Sequence, residues 1–151
     1  PRGCPASRPP RSRTPADAAG LGGVIVCDAR TDVANPAVIR ASLGTVFSMP
    51  VVTSSTAEAI DWCRREGRDV VAATPEGARL WHEANLRGTA ALVLGSEAHG
   101  LSTAWGAAAA SGAIRLTSVR LPMHGIADSL NLSVTAAVLA YESVRQREQP
   151  R

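Results

Sequence analysis

The polar side chains best placed for chemistry in this 151-residue chain are Ser129 and Asn131. They sit in the stretch Arg120-Leu-Pro-Met-His-Gly-Ile-Ala-Asp-Ser-Leu-Asn-Leu-Ser-Val134. It starts apolar, is stopped by Pro122, turns flexibly at Gly125 and is expected to enter a helix at Asp128-Ser129. The first turn of a helix leaves backbone N–H groups without intrahelical partners and carries partial positive charge. Ser129 and Asn131 there can hold a polar ligand, or can simply cap the helix. A second group is Leu94-Gly-Ser-Glu-Ala-His-Gly100, where Glu97 offers a carboxylate between two glycines. Gly95 lets a ligand approach the backbone, and Gly100 permits a turn closed to other residues. A tight strand-to-helix connection would look the same. His99 and His124 are bases by chemistry and surface loop histidines by position.

The elements that must position these residues alternate along the chain. Apolar runs at Gly23–Cys27, Val46–Val52, Arg68–Ala73, Thr89–Leu94 and Ile114–Leu121 read as strands. Between them, Asn35-Pro36 opens a short helix to about Leu43, and Ser55-Thr56 caps a helix over Ala57–Glu66 with Ile60 and Cys63 inward. A weaker helix is expected around Glu76–Ala84, and Ser102 caps an Ala-rich one. The last helix spans about Ser129–Arg145, its stripe of Leu130, Val134, Ala137, Val138 and Tyr141 predicted to face inward. Ala16–Ala19 reads as a helix end before Gly20. Continuous apolar strands alternating with helices predict an α/β fold: a mainly parallel sheet with helices on both faces. Ligands of such sheets bind beyond the carboxyl ends of the strands, where Gly95–Gly100 and Met123–Asn131 both fall.

Composition narrows the class. The chain suits one compact domain. No apolar run reaches the ~18 residues of a membrane span, and no signal peptide is visible, so a soluble cytoplasmic protein is expected. The three cysteines are too widely spaced for a metal site or a disulfide framework. Arg2, Arg8, Arg11 and Arg13 precede the first acid, Asp17; without those four of the 16 basic residues, 12 face 13 acids. The basic excess therefore belongs to residues 1–15, a Pro/Arg-rich segment read as a disordered tail that can also contact phosphate. The body is read as 16–147 and the C-terminal tail as 148–151. The chain does not open on Met, and its start is read as truncated or processed.

Val93-Leu-Gly-Ser-Glu-Ala-His-Gly-Leu101, followed by Leu121-Pro-Met and Asp128-Ser-Leu-Asn-Leu-Ser-Val134, closely resembles the SpoU (TrmH) family of RNA ribose methyltransferases. The family belongs to the SPOUT superfamily, and these match its second and third signature motifs in order. The resemblance implies a C-terminal deep trefoil knot, S-adenosylmethionine as cofactor, a homodimer, and methyl transfer to a ribose 2′-hydroxyl of rRNA or tRNA without a metal. It further implies that Leu94, Gly95, Leu121 and Leu130 line the cofactor pocket and that Gly100 and Met123 shape it. By the same resemblance, Glu97, Ser129 and Asn131 stand at the catalytic centre. A ribose hydroxyl is a poor nucleophile, and positioned polar groups can orient it and share its proton.

The family's first motif departs from its pattern. Arg13-Thr14 before Ala16-Asp-Ala-Ala-Gly20 nearly matches it, but Pro15 lengthens the spacing by one residue, and no Asn precedes Asn35. Arg13 is the candidate for the motif's arginine. Asn35 and Arg40 match a later family segment, where Arg40 would meet RNA, the dimer partner or solvent. The departure also supports an alternative, a catalytically impaired relative that binds cofactor or RNA without methyl transfer. A dinucleotide-binding domain is disfavoured, because no Gly-x-Gly-x-x-Gly follows the first strand.

Overall fold

The computed structural model describes residues 15–29, 36, 49–96, 99–126 and 129–149. A short helix α1 (Pro15–Ala18) leads to strands β1 (Val24–Cys27) and β2 (Val51–Ser54), then to helix α2 (Thr56–Arg65). Strand β3 (Asp69–Ala73) is followed by β4 (Arg79–Leu80) and a single 3₁₀ turn at Trp81–Glu83. Strand β5 (Ala90–Leu94), helix α3 (Thr103–Ala110), strand β6 (Arg115–Arg120) and helix α4 (Leu132–Glu148) complete the order. Pro36 of the helix expected at Asn35–Leu43 is helical, and Pro15 of the expected tail 1–15 begins α1. The rest of that helix with Arg40, the Val46–Ser48 part of the second strand and residues 1–14 lie outside the described residues.

Every described strand pair is parallel. They form two sheets, β1-β2 and β4-β6-β3-β5, where sequence predicts one. Alternation along the strands sends side chains to two cores. Val70, Ala91, Val93 and Leu116 join Ala59, Cys63, Trp105 and Ile114 under α2 and α3. Val71, Leu92 and Val119 join Leu86 and Leu139 under α4 and the 3₁₀ turn. Helices thus cover both faces of the larger sheet, as the continuous apolar strands require. Helix α2 begins where expected: Ser55 accepts from the Glu58 N–H, and the Glu58 carboxylate accepts from the Ser55 N–H. The buried Thr56 hydroxyl donates to Asp28 at 2.6 Å, tying α2 to the end of β1.

Three expectations are corrected. Glu76–Ala84 is not a helix. Gly77 turns the chain against β6, the Glu83 carboxylate accepts from the Leu80 N–H at 2.7 Å, and the backbone at Ala84 and Leu86 bonds to Gln146 instead of to a helical turn. Helix α4 starts at Leu132, not Ser129, because the Asn131 carboxamide caps it. The buried face of α4 also differs from the predicted stripe, of which only Ala137 and Val138 are half-buried. Leu139, Glu142, Ser143 and Gln146 face the core, whereas Leu130, Val134 and Tyr141 are exposed. Among the described residues, no helix is long and apolar enough to cross a membrane.

Candidate active site at the carboxyl ends of the strands

Strand register decides which loops meet. Ala73 of β3 pairs with Leu94 of β5 on one side and with Val119 of β6 on the other. Three loops therefore leave the same edge of the sheet: Thr74–Ala78, Gly95–Leu101 and Leu121–Asn131. Two of them hold the residues singled out from sequence, and the third was not foreseen.

The Gly95–Leu101 loop closes on itself. The Ser96 N–H donates to the Gly100 carbonyl at 2.9 Å, and the Gly100 N–H donates back at 2.8 Å. The Ser96 hydroxyl accepts from the His99 N–H at 3.1 Å. Gly100 has a φ of +66°, which a side chain would strain, and a Cβ on Gly95 would collide with the Gly100–Leu101 backbone. The glycine bracket predicted from sequence thus has a local cause. Gly100 supplies the left-handed turn, and Gly95 leaves room for the returning chain rather than only for a ligand. Leu94 and Gly95 are half-buried, and Gly100 is exposed. Glu97 lies outside the described residues.

In the third loop, Leu121 and Met123 are half-buried, while Ser129, Leu130 and Asn131 are exposed. The Asn131 side-chain oxygen accepts from the Ser133 N–H at 2.9 Å and from the Ser133 hydroxyl at 2.5 Å. Asn131 is thus the helix cap, a role that sequence left open to both Ser129 and Asn131. Ser133 is its unforeseen partner. Of the predicted site residues, Leu94 ends β5, and Gly95, Gly100, Leu121, Met123, Ser129, Leu130 and Asn131 belong to loops leaving the same sheet edge. Arg13 and Asp128, like Glu97, lie outside the described residues.

The unforeseen loop, Thr74–Ala78, crosses the end of β6. The Thr74 N–H donates to the Val119 carbonyl at 2.9 Å, and the Ala78 N–H donates to the Ser118 hydroxyl at 3.3 Å. The Arg120 guanidinium donates to the Gly77 carbonyl at 2.7 Å. A Cβ on Gly77 would collide with the Val119–Arg120 peptide. The signal was present in Thr74-Pro-Glu-Gly77, a turn sequence directly after a strand.

The site's chemistry is that of hydroxyl, amide and backbone groups around apolar side chains. No group of His, Cys, Asp or Glu among the described residues could hold a metal ion. The described thiols are poor nucleophiles: burial pushes Cys27 up, reinforced by Asp28 and opposed by its Thr56 bond. Burial likewise raises Cys63, partly offset by Arg68.

A model described as the SpoU rRNA methylase family matches residues 13–141. A 23S rRNA (guanosine-2'-O-)-methyltransferase RlmB of Coxiella burnetii is 33% identical over 142 residues, covering 89% of this chain and 52% of the relative. A crystal structure of an RNA 2'-O ribose methyltransferase superimposes with a TM-score of 0.77 at 44% identity, over 89% of this chain and 49% of that one. The SpoU methyltransferase AviRb of Streptomyces viridochromogenes, in complex with the cofactor AdoMet, gives a TM-score of 0.76 at 34% identity, over 89% of this chain and 53% of that one. The chain spans about half the length of the curated relatives it matches.

Proposed function

Because this chain belongs to the SpoU rRNA methylase family, we propose that it is an S-adenosylmethionine-dependent methyltransferase acting on a ribose 2′-hydroxyl of rRNA or tRNA. The observation that carries the reading is the shared sheet edge from which the self-closed Gly95–Gly100 loop and the Leu121–Asn131 segment both leave. Residues 16–147 form the methyltransferase domain in this reading.

The residues present fit the cofactor. Half-buried Leu94, Leu121 and Met123, with Leu130, supply apolar surface for an adenine ring, and the closed glycine loop supplies backbone groups for its polar edge. When bound, S-adenosylmethionine supplies a methyl group on a sulfonium centre. Ser129, Asn131 and Glu97 would orient the ribose hydroxyl and share its proton, with Asn131 also holding the start of α4 in place. Arg13 would engage the RNA phosphate.

Three further features belong to the same reading. A deep C-terminal trefoil knot is supported by the path of the chain: β4 lies beyond β6, so the segment leaving β3 must cross β6 before the C-terminal part departs. A homodimer is supported by Leu130, Leu132, Val134 and Tyr141, apolar residues that α4 and its approach leave exposed. Catalysis without a metal, in the cytoplasm, completes the proposal.

Incubation of the full chain with methyl-labelled S-adenosylmethionine and ribosomal or transfer RNA, followed by digestion to nucleosides, tests the activity. The expected product is a 2′-O-methyl nucleoside. Cofactor binding without transfer would favour the impaired relative, and label on a base would contradict the reading.

A further inference from the structure

Arg120 opens the stretch that holds Ser129 and Asn131 but lies outside the segments that match the family motifs, and it touches the loop that completes the sheet edge. In β6, Ser118 and Arg120 are two residues apart and so share the face that carries Leu116, while buried Val119 points to the opposite core. The segment leaving β3 crosses β6 here. Its Thr74 N–H bonds the Val119 carbonyl, its Ala78 N–H the Ser118 hydroxyl and its Gly77 carbonyl the Arg120 guanidinium. Beyond the crossing, Arg79 and Leu80 pair with Val119 and Arg120 from the outer side.

The three fastenings differ in strength. The Ser118 bond is long at 3.3 Å, whereas the Arg120 bond is short at 2.7 Å, has a charged donor and is partly buried. Charge-assisted bonds are roughly twice as strong as neutral ones, so Arg120 dominates the side-chain part of the crossing. Arg120 is also the residue immediately before Leu121, where the chain leaves the sheet for the third loop. One residue therefore joins the first loop to the origin of the third.

We propose that Arg120 is a positioning residue of the methyl-donor site, holding the Thr74–Ala78 crossing on β6 and thereby fixing how Leu121 and Met123 enter the pocket. This rests on the methyltransferase reading, and the test separates the two. Hydrogen exchange is measured residue by residue on the full chain and on Arg120→Ala. Binding of S-adenosylhomocysteine is titrated on both. Arg120→Ala is expected to speed exchange at Gly77–Leu80 about tenfold, leave Val70 and Val71 in β3 unchanged, and weaken binding about tenfold. Arg120→Lys should recover part of both losses, since an ammonium can reach a single carbonyl. If Arg120→Ala does not fold, Arg120→Gln provides the same comparison with a shorter, neutral donor.

Unchanged exchange at Gly77–Leu80 would overturn the clamp. Faster exchange with unchanged affinity would overturn its positioning role. A merely structural arginine would raise exchange in β3 as well. No binding by the folded, unsubstituted chain would overturn the methyltransferase reading, and this role with it, whereas the exchange arm would still report the clamp itself.

Discussion

Between Leu132 and Tyr141, helix α4 leaves Leu132, Val134 and Tyr141 exposed, whereas between Glu142 and Gln146 it buries a carboxylate, a hydroxyl and a carboxamide. In the first half three apolar side chains face solvent while Leu139 and Ala140 stay buried, and in the second half three polar groups face the core. Partners explain the second half. The Gln146 carboxamide donates to the Ala84 carbonyl at 2.9 Å and to Glu142 at 2.8 Å, and its oxygen accepts from the Leu86 N–H at 2.8 Å. Only this orientation of the amide satisfies all three. Arg145 grips both Glu142 oxygens, at 2.7 and 2.6 Å. The polar end is thus a clamp on the 84–86 backbone, and the apolar end is a surface with its own partner in the proposed dimer. A periodic apolar stripe identifies an interface without saying whether the chain's own core fills it.

The sharpest way to break this contrast is at the clamp. Gln146→Ala leaves the Leu86 N–H and Ala84 carbonyl buried without that partner, and should cost about 2–4 kcal/mol, read by denaturant unfolding. A loss below ~1 kcal/mol would mean that the clamp is replaceable. Asn131→Ala, at the other end of the helix, removes only a cap and should cost ~1 kcal/mol, while methyl transfer falls far more. Equal losses in both would reduce Asn131 to a structural cap.

Acidification probes the same clamp more gently. The Arg145 bond holds the Glu142 carboxyl below its ordinary value of 4.5, with burial opposing and Gln146 assisting. A carboxyl depressed in the folded state contributes stability that is complete above that value and is lost as pH falls through the folded one. Unfolding measured from pH 6 downward should show this slope, and Glu142→Gln should flatten it; an unaltered slope would assign the acid sensitivity elsewhere. Smallest of all should be Val134→Ser in the exposed half. Stability of the isolated chain should change by no more than ~0.5 kcal/mol, while light scattering should show weakened self-association. A large stability loss without change in mass would place Val134 in an internal core.

Much of the sheet was legible because its strands are short apolar runs between turn residues: β3, β5 and β6 differ from expectation by a residue or so at their ends. The glycine-bracketed loop and the caps Ser55 and Ser102 were legible for the same local reason. What escaped depends on long-range pairing. Thr74–Ala78 became part of the site only because β4 pairs with β6 rather than with β3, which no local pattern encodes. Burial of Gln146, and of the Glu142 it bonds, depends on backbone groups 60 and 62 residues away in sequence at Leu86 and Ala84. The helix start was misjudged by three residues, from Ser129 to Leu132, because two adjacent polar residues competed with Asn131 for the cap.

Calorimetric titration of the full chain with S-adenosylhomocysteine tests the central claim most directly. Saturable binding is predicted, abolished in Gly95→Val, whose side chain would collide with the Gly100–Leu101 backbone and open the loop. A folded chain that takes up no S-adenosylhomocysteine, or a Gly95→Val chain that binds it unchanged, would contradict the account.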